Sequence, residues 1–135
     1  MSQLDNQPAT MPPITLPSGR LLLDGELVEP RGAGRMIDAL DPATGNKIMS
    51  FPACSREDVD RAVGAAHRCF ESKTWQGMRP LDRGRLLENL ALLVEKHRDE
   101  LAALESLDSG KLLFVTRAID LQFTIDGLRY FAGWA

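Results

Sequence analysis

Cysteine is scarce in this sequence: Cys54 and Cys69 are the two present among 135 residues. Their spacing matches neither a Cys-x-x-Cys redox pair nor a zinc knuckle, so a disulfide scaffold is excluded and two unpaired thiols fit a reducing, cytoplasmic setting. Long apolar runs are missing as well. Stretches such as Leu21–Leu23 and Leu101–Leu104 fall far short of the roughly 20 residues a membrane helix needs. No block of lysine and arginine stands out, and the net charge of -3 with a sequence pI near 5.4 argues against nucleic acid or an anionic membrane surface as a partner. Histidine is rare too. His67 and His97 lie 30 positions apart on separate segments and read as surface residues rather than as a metal pair or a base.

Met1–Gly19 lacks the positive-then-apolar order of a secretory signal. It carries Pro8, Pro12, Pro13 and Pro17 among small polar residues without any hydrophobic period, the pattern of a flexible leader. Residues 20–135 then alternate between two periods. Leu21–Leu23 and Glu26–Val28 flank Asp24-Gly25, a dipeptide that tolerates the positive φ of a two-residue hairpin turn. After the glycine-containing loop Arg31–Arg35, Met36–Leu40 and Lys47–Phe51 flank Asp41-Pro42-Ala43-Thr44-Gly45. There Asp41 can accept local N–H groups, Pro42 presets φ, and Gly45 closes the turn. A second hairpin is expected.

Beyond Pro52 the apolar spacing changes to that of helices. Ser55 and Asp58 form a capping-box start, with Asp in place of the favoured Glu or Gln, and Val59, Ala62, Val63, Ala66 and Phe70 share one face. A loop with Trp75 and Gly77 precedes Pro80, which suits the first position of a second helix. Leu86, Leu87, Leu90, Leu93, Val94 and His97 would be its buried stripe. A third helix near Arg98–Leu107 turns Leu101 and Leu104 inward and stops at Gly110. A fourth begins near Phe114 with Ala118, Leu121, Ile125, Leu128 and Ala132 as its inner face. It runs toward an aromatic end at Phe131–Ala135, which suggests truncation unless Gly133 serves as a C-cap. The expected architecture is therefore α/β, two β-hairpins followed by about four amphipathic helices.

Six segments, in order, resemble the start of the aldehyde dehydrogenase superfamily: Leu23–Glu26, Asp41–Gly45, Asp58–Val63, Arg83–Leu87, Leu104–Lys111 and Leu128–Trp134. Each is weak alone; their ordered coincidence is not. Leu27 stands where many relatives have Trp, and Leu112 where Pro commonly follows Gly-Lys. The resemblance implies an N-terminal portion lacking most of a Rossmann-like sheet, with further domains downstream. It also implies oxidation of a small-molecule aldehyde to a carboxylic acid with NAD or NADP by way of a Cys thiohemiacetal and thioester. A homo-oligomer is implied for the complete enzyme. Neither a Gly-Gln-x-Cys nor a Glu-Leu-Gly-Gly context occurs here, and no glycine-rich strand-to-helix turn is present. Cys54 and Cys69 are accordingly not read as catalytic, no cofactor contact is assigned, and this chain alone is expected to be inactive.

Two pairs of positions carry over from the family. Leu40, through its carbonyl, and Asp108 match positions that hold a monovalent cation, although Asp108 equally fits a helix-end role. Asp120 and Phe123 match the wall of an aldehyde tunnel, although helical spacing alone equally fits Phe123 as core. A different class of reading, a stand-alone binding or regulatory module that reuses the same fold, stays open on the sequence.

Overall fold

The computed structural model describes residues 13–31 and 35–135. Most of the predicted leader and the middle of the Arg31–Arg35 loop lie outside them. Pro13–Gly19 follows no regular secondary structure.

The first hairpin pairs β1 (Leu21–Leu23) with β2 (Glu26–Val28), Leu21 opposite Val28. Its turn uses φ of 55° at Asp24 and 82° at Gly25, the mirror-image geometry that matches strand twist. The second pairs β3 (Met36–Leu40) with β4 (Lys47–Pro52). Its turn is held by Asp41, whose carboxylate accepts from the Ala43 N–H at 2.9 Å and the Thr44 hydroxyl at 2.7 Å. The register slips between Ala39 and Leu40, so Leu40 sits at an irregularity of the kind that re-aims a strand end.

Helix α1 (Arg56–Glu71) starts on a complete capping box: the Asp58 N–H donates to Ser55 Oγ, and the Asp58 carboxylate accepts from the Ser55 N–H. That carboxylate is buried and also accepts from the Arg31 N–H at 3.0 Å and from Arg61 at 3.3 Å. One side chain therefore starts the helix and ties down the loop after β2. The first hairpin and the small residues Ala62, Ala65, Ala66 and Cys69 line a shared hollow. Of the apolar face read from the sequence, Val59, Val63, Ala66 and Phe70 are exposed and Ala62 is half-buried. The expected loop around Trp75 is a helical turn, α2 (Lys73–Gln76), capped by Ser72.

Helix α3 (Pro80–Lys96) has Pro80 at its first position, as expected. Its buried face is not the leucine stripe. Gly84 and Ala91 are the buried residues and Leu87 and Val94 are half-buried, whereas Leu86, Leu90, Leu93 and His97 are exposed. The physical reason is the closeness of the last helix: a Cβ on Gly84 would lie 2.6 Å from the Ala132 carbonyl oxygen. Nothing larger than glycine fits at that point of the seam without displacement. Arg129 spans it, donating to Glu88 at 3.3 Å and to Glu95 at 3.0 Å, and both acids hold the guanidinium above its ordinary pKa, Glu95 more than Glu88.

Helix α4 (Arg98–Ser109) ends at Gly110 with φ of 73°, the left-handed cap read from the sequence. The last helix is interrupted. A short piece, α5 (Leu113–Val115), passes into a π-helical turn, Thr116–Asp120, and then into α6 (Leu121–Ala132). Leu121 and Ile125 are buried and Leu128 and Ala132 half-buried, while Ala118 is exposed. Gly133 follows α6 with an ordinary negative φ of -73°. No helix among the described residues is long and apolar enough to cross a membrane.

Gly84→Ala should destabilise the fold by about 1–3 kcal/mol, the usual cost of forcing atoms into a packed contact, read as a lower denaturation midpoint; an unchanged midpoint would mean the seam is looser than described. Asp82, in the first turn of α3, is held below its ordinary pKa of 3.8, chiefly by its hydrogen bond from Arg79 and also by Arg85. A depressed carboxylate contributes stability above its unfolded value and loses it as pH falls through the folded one. The melting temperature should thus drop as pH is lowered beyond 3.8, and Asp82→Asn should flatten that part of the profile.

Candidate functional site

The turn of the second hairpin and the end of α4 meet at a corner. The Pro42 ring would lie 3.2 Å from a Cβ on Gly110, so only glycine serves there without displacement, and its positive φ is wanted for the cap as well. Leu40 enters this corner at the irregular end of β3, and Asp108 stands two residues before the cap. Asp41 is spent on its own turn: the Thr44 hydroxyl, then the Ala43 N–H, draw its carboxyl below the ordinary range. The Leu40 carbonyl and the exposed Asp108 carboxylate are hard oxygen donors, the type that hard cations take. Among the described residues no group of three or more His, Cys, Asp or Glu converges as a metal site.

Beside this corner is a hollow of about 460 Å³ walled by Ala39, Ile48 and Met49 of the second hairpin and by Leu101, Leu104 and Leu121 of the helices. Leu16 and Pro17 cover part of it, and Asp108 and Thr124 reach its edge. The inward direction expected of Leu101 and Leu104 is therefore toward the hairpin. Asp120 and Phe123 line none of it.

Asp120 closes the π turn, where its carboxylate accepts from Lys111 Nζ at 2.7 Å. Lys111 also approaches Glu105 at 3.5 Å, and the two acids, Asp120 foremost, raise the ammonium pKa above its ordinary 10.5. Phe123 lies one turn further on and is 73% exposed. The core alternative for Phe123 is thereby not realised within this chain. Gly127, Tyr130 and Trp134 continue the same side of α6 at helical spacing; nothing lies within 4 Å of a Cβ placed on Gly127, and both rings are exposed. Sequence reading missed two members of this arrangement. Lys111 was seen only as part of a family motif. Thr116 was assigned no role, yet it is completely buried and its hydroxyl donates to the Ala102 carbonyl at 2.9 Å; a polar residue interrupting an apolar period was the available signal.

Cys54 and Cys69 are exposed. His67 and His97 pair with Glu71 and Glu100 on the surface, each at 3.3 Å.

Comparison with known proteins agrees with this geometry. A family model described as the aldehyde dehydrogenase family matches residues 28–135. The mitochondrial aldehyde dehydrogenase of Equus caballus is 47% identical over 102 residues, 75% of this chain and 20% of that protein. The mitochondrial benzaldehyde dehydrogenase of Antirrhinum majus is 36% identical over 124 residues, 92% of this chain and 23% of that one. A solved aldehyde dehydrogenase from Bacillus cereus, in complex with NAD+, superposes with a TM-score of 0.81 at 39% identity, covering 85% of this chain and 23% of that chain. This chain spans about a quarter or less of the length of the curated relatives it matches. Two hairpins leading into a helical array, with the six motifs in their places, belong to one lineage: the chain is a member of the aldehyde dehydrogenase family.

Proposed function

We propose that these residues form the N-terminal part of an enzyme that oxidises an aldehyde to a carboxylic acid with NAD+ or NADP+, its nucleophilic thiol, water-activating carboxylate and dinucleotide site lying outside residues 1–135. The observation that carries this reading is the combined agreement of backbone and sequence with a solved NAD+-bound relative. Among the described residues the strands make two antiparallel hairpins, and the passage from β4 into α1, Pro52 to Ser55, has no glycine. Nothing there fits a pyrophosphate at a helix N-terminus. The cofactor supplies the hydride acceptor when bound; this chain supplies walls and anchoring.

Two local roles belong to the same reading. Phe123, with Asp120 at its side, forms part of the apolar surface along which the aldehyde reaches the thiol, where shape selects the substrate. The Leu40 carbonyl and the Asp108 carboxylate supply part of a monovalent-cation shell. The complete enzyme is taken to be a cytoplasmic homo-oligomer.

The isolated 135-residue protein mixed with benzaldehyde and NAD+ should give no NADH above the blank; sustained NADH formation would overturn the placement of the thiol outside it. A chimera in which this chain replaces the matching part of the Bacillus cereus enzyme should be active. In that chimera Phe123→Ala should raise KM for benzaldehyde by about ten-fold, the scale on which an apolar wall discriminates, with kcat for acetaldehyde nearly unchanged. Equal KM values in the two proteins would remove Phe123 from the substrate path. Replacing sodium chloride by choline chloride at constant ionic strength should lower the chimera's melting temperature, and Asp108→Asn should abolish the difference between the salts.

A further inference from the structure

The π turn sets the rotation of everything after it. In a continuous α-helix residues three, four, seven and eleven apart share a face. Counted that way from the buried Thr116, the face would continue through Asp120, Phe123, Gly127, Tyr130 and Trp134. The structure does otherwise. The Leu121 N–H donates to the Thr116 carbonyl, five residues back, and the extra residue turns the following helix by about 100° relative to a straight α continuation. Leu121, Ile125, Leu128 and Ala132 then form the covered face, Ala132 at its contact with Gly84 of α3, and the aromatic stripe is left outside, with Phe123 73%, Tyr130 61% and Trp134 75% exposed.

Two groups favour this register. Thr116 Oγ1 lies 2.9 Å from Ala102 O and 3.0 Å from Leu113 O, its one proton shared between the two carbonyls, which fixes the start of the turn inside the core. Lys111 holds Asp120 at the flank, whereas the straight register would swing that carboxylate toward the α3 seam, an expensive burial. The seam also rejects the alternative sterically, since Gly84 touches the Ala132 backbone and leaves no space for three aromatic rings.

We propose that the π turn Thr116–Asp120 is a phase-setting element that presents the Phe123–Gly127–Tyr130–Trp134 stripe as the apolar wall for substrate, and that Thr116 is the positioning residue that holds it. The substrate half rests on the function proposed above; the phase half does not. Gly127, open on its outer side, leaves a notch between rings in which a flat aryl or similarly planar apolar group of an aldehyde would lie.

The test uses the full 135-residue chain with Cys54 and Cys69 replaced by serine and a single reporter, either Phe123→Cys or Leu128→Cys. Thiol modification tracks exposure, so the reporter at 123 should react about ten-fold faster than the one at 128. Deleting Ala118, which is exposed and inside the turn, removes the surplus residue, so a straight α-helix then carries Leu128 on the face of Thr116 and the order should persist with helical circular dichroism, whereas inserting one alanine after Ala118 should turn the following helix by about a further 100° and narrow or invert it. In the chain of unaltered length, Thr116→Val should narrow the ratio and Thr116→Ser should restore it. A reversed order in the folded deletion variant, or an unchanged ratio in Thr116→Val, would overturn the proposal. Labelling is blind to aldehyde. A correct phase with no effect of Phe123→Ala on KM in the chimera would instead defeat the substrate reading alone.

Discussion

The close approach of α3 and α6 governs this structure. It occurs where glycine meets backbone: Gly84 lies against the Ala132 carbonyl, and Ala91 continues the seam completely buried. Small residues let two backbones approach, and dispersion between well-fitted surfaces then contributes more than a looser leucine contact would. With the helices so near, bulky side chains must leave the interface. Leu86, Leu90 and Leu93 accordingly occupy the far side of α3, and the aromatic stripe occupies the far side of α6.

Both helices are thus apolar on two opposite sides, the signature of elements in an inner layer. That explains why a protein with ordinary hydrophobic content has a core of mostly small residues: Ala65, Ala91, Ala102 and Ala103 beside Leu121 and Ile125. It also accords with the greater length of the relatives, of which this chain spans about a quarter or less.

What the sequence disclosed was decided locally. Asp24-Gly25, the Asp41–Gly45 turn, the Ser55–Asp58 box, Pro80 and Gly110 each act within a few residues, and each stands where its chemistry placed it. Which face of a helix is inside is not local. Six apolar or near-apolar positions of α3 form a convincing stripe, but a two-faced helix offers two, and leucine count favours the wrong one. The π turn was equally hidden, because its cause is the depth of the seam and a hydroxyl bonded across to α4 rather than any residue preference within Thr116–Asp120. Family likeness singled out Leu40, Asp108, Asp120 and Phe123 and left Phe123 equally open as core; its exposure and the contacts of Thr116 and Lys111 required coordinates.

Arg129 contributes a constraint of a different kind. By gripping Glu88 and Glu95, two turns apart on α3, it resists sliding of one helix along the other, much as a pin through two rulers keeps their zero marks aligned. Rotation about the axis and travel along it are consequently governed by separate groups. Evolution can retune the roll of the aromatic side without disturbing its depth, and the scaffold beneath stays in place.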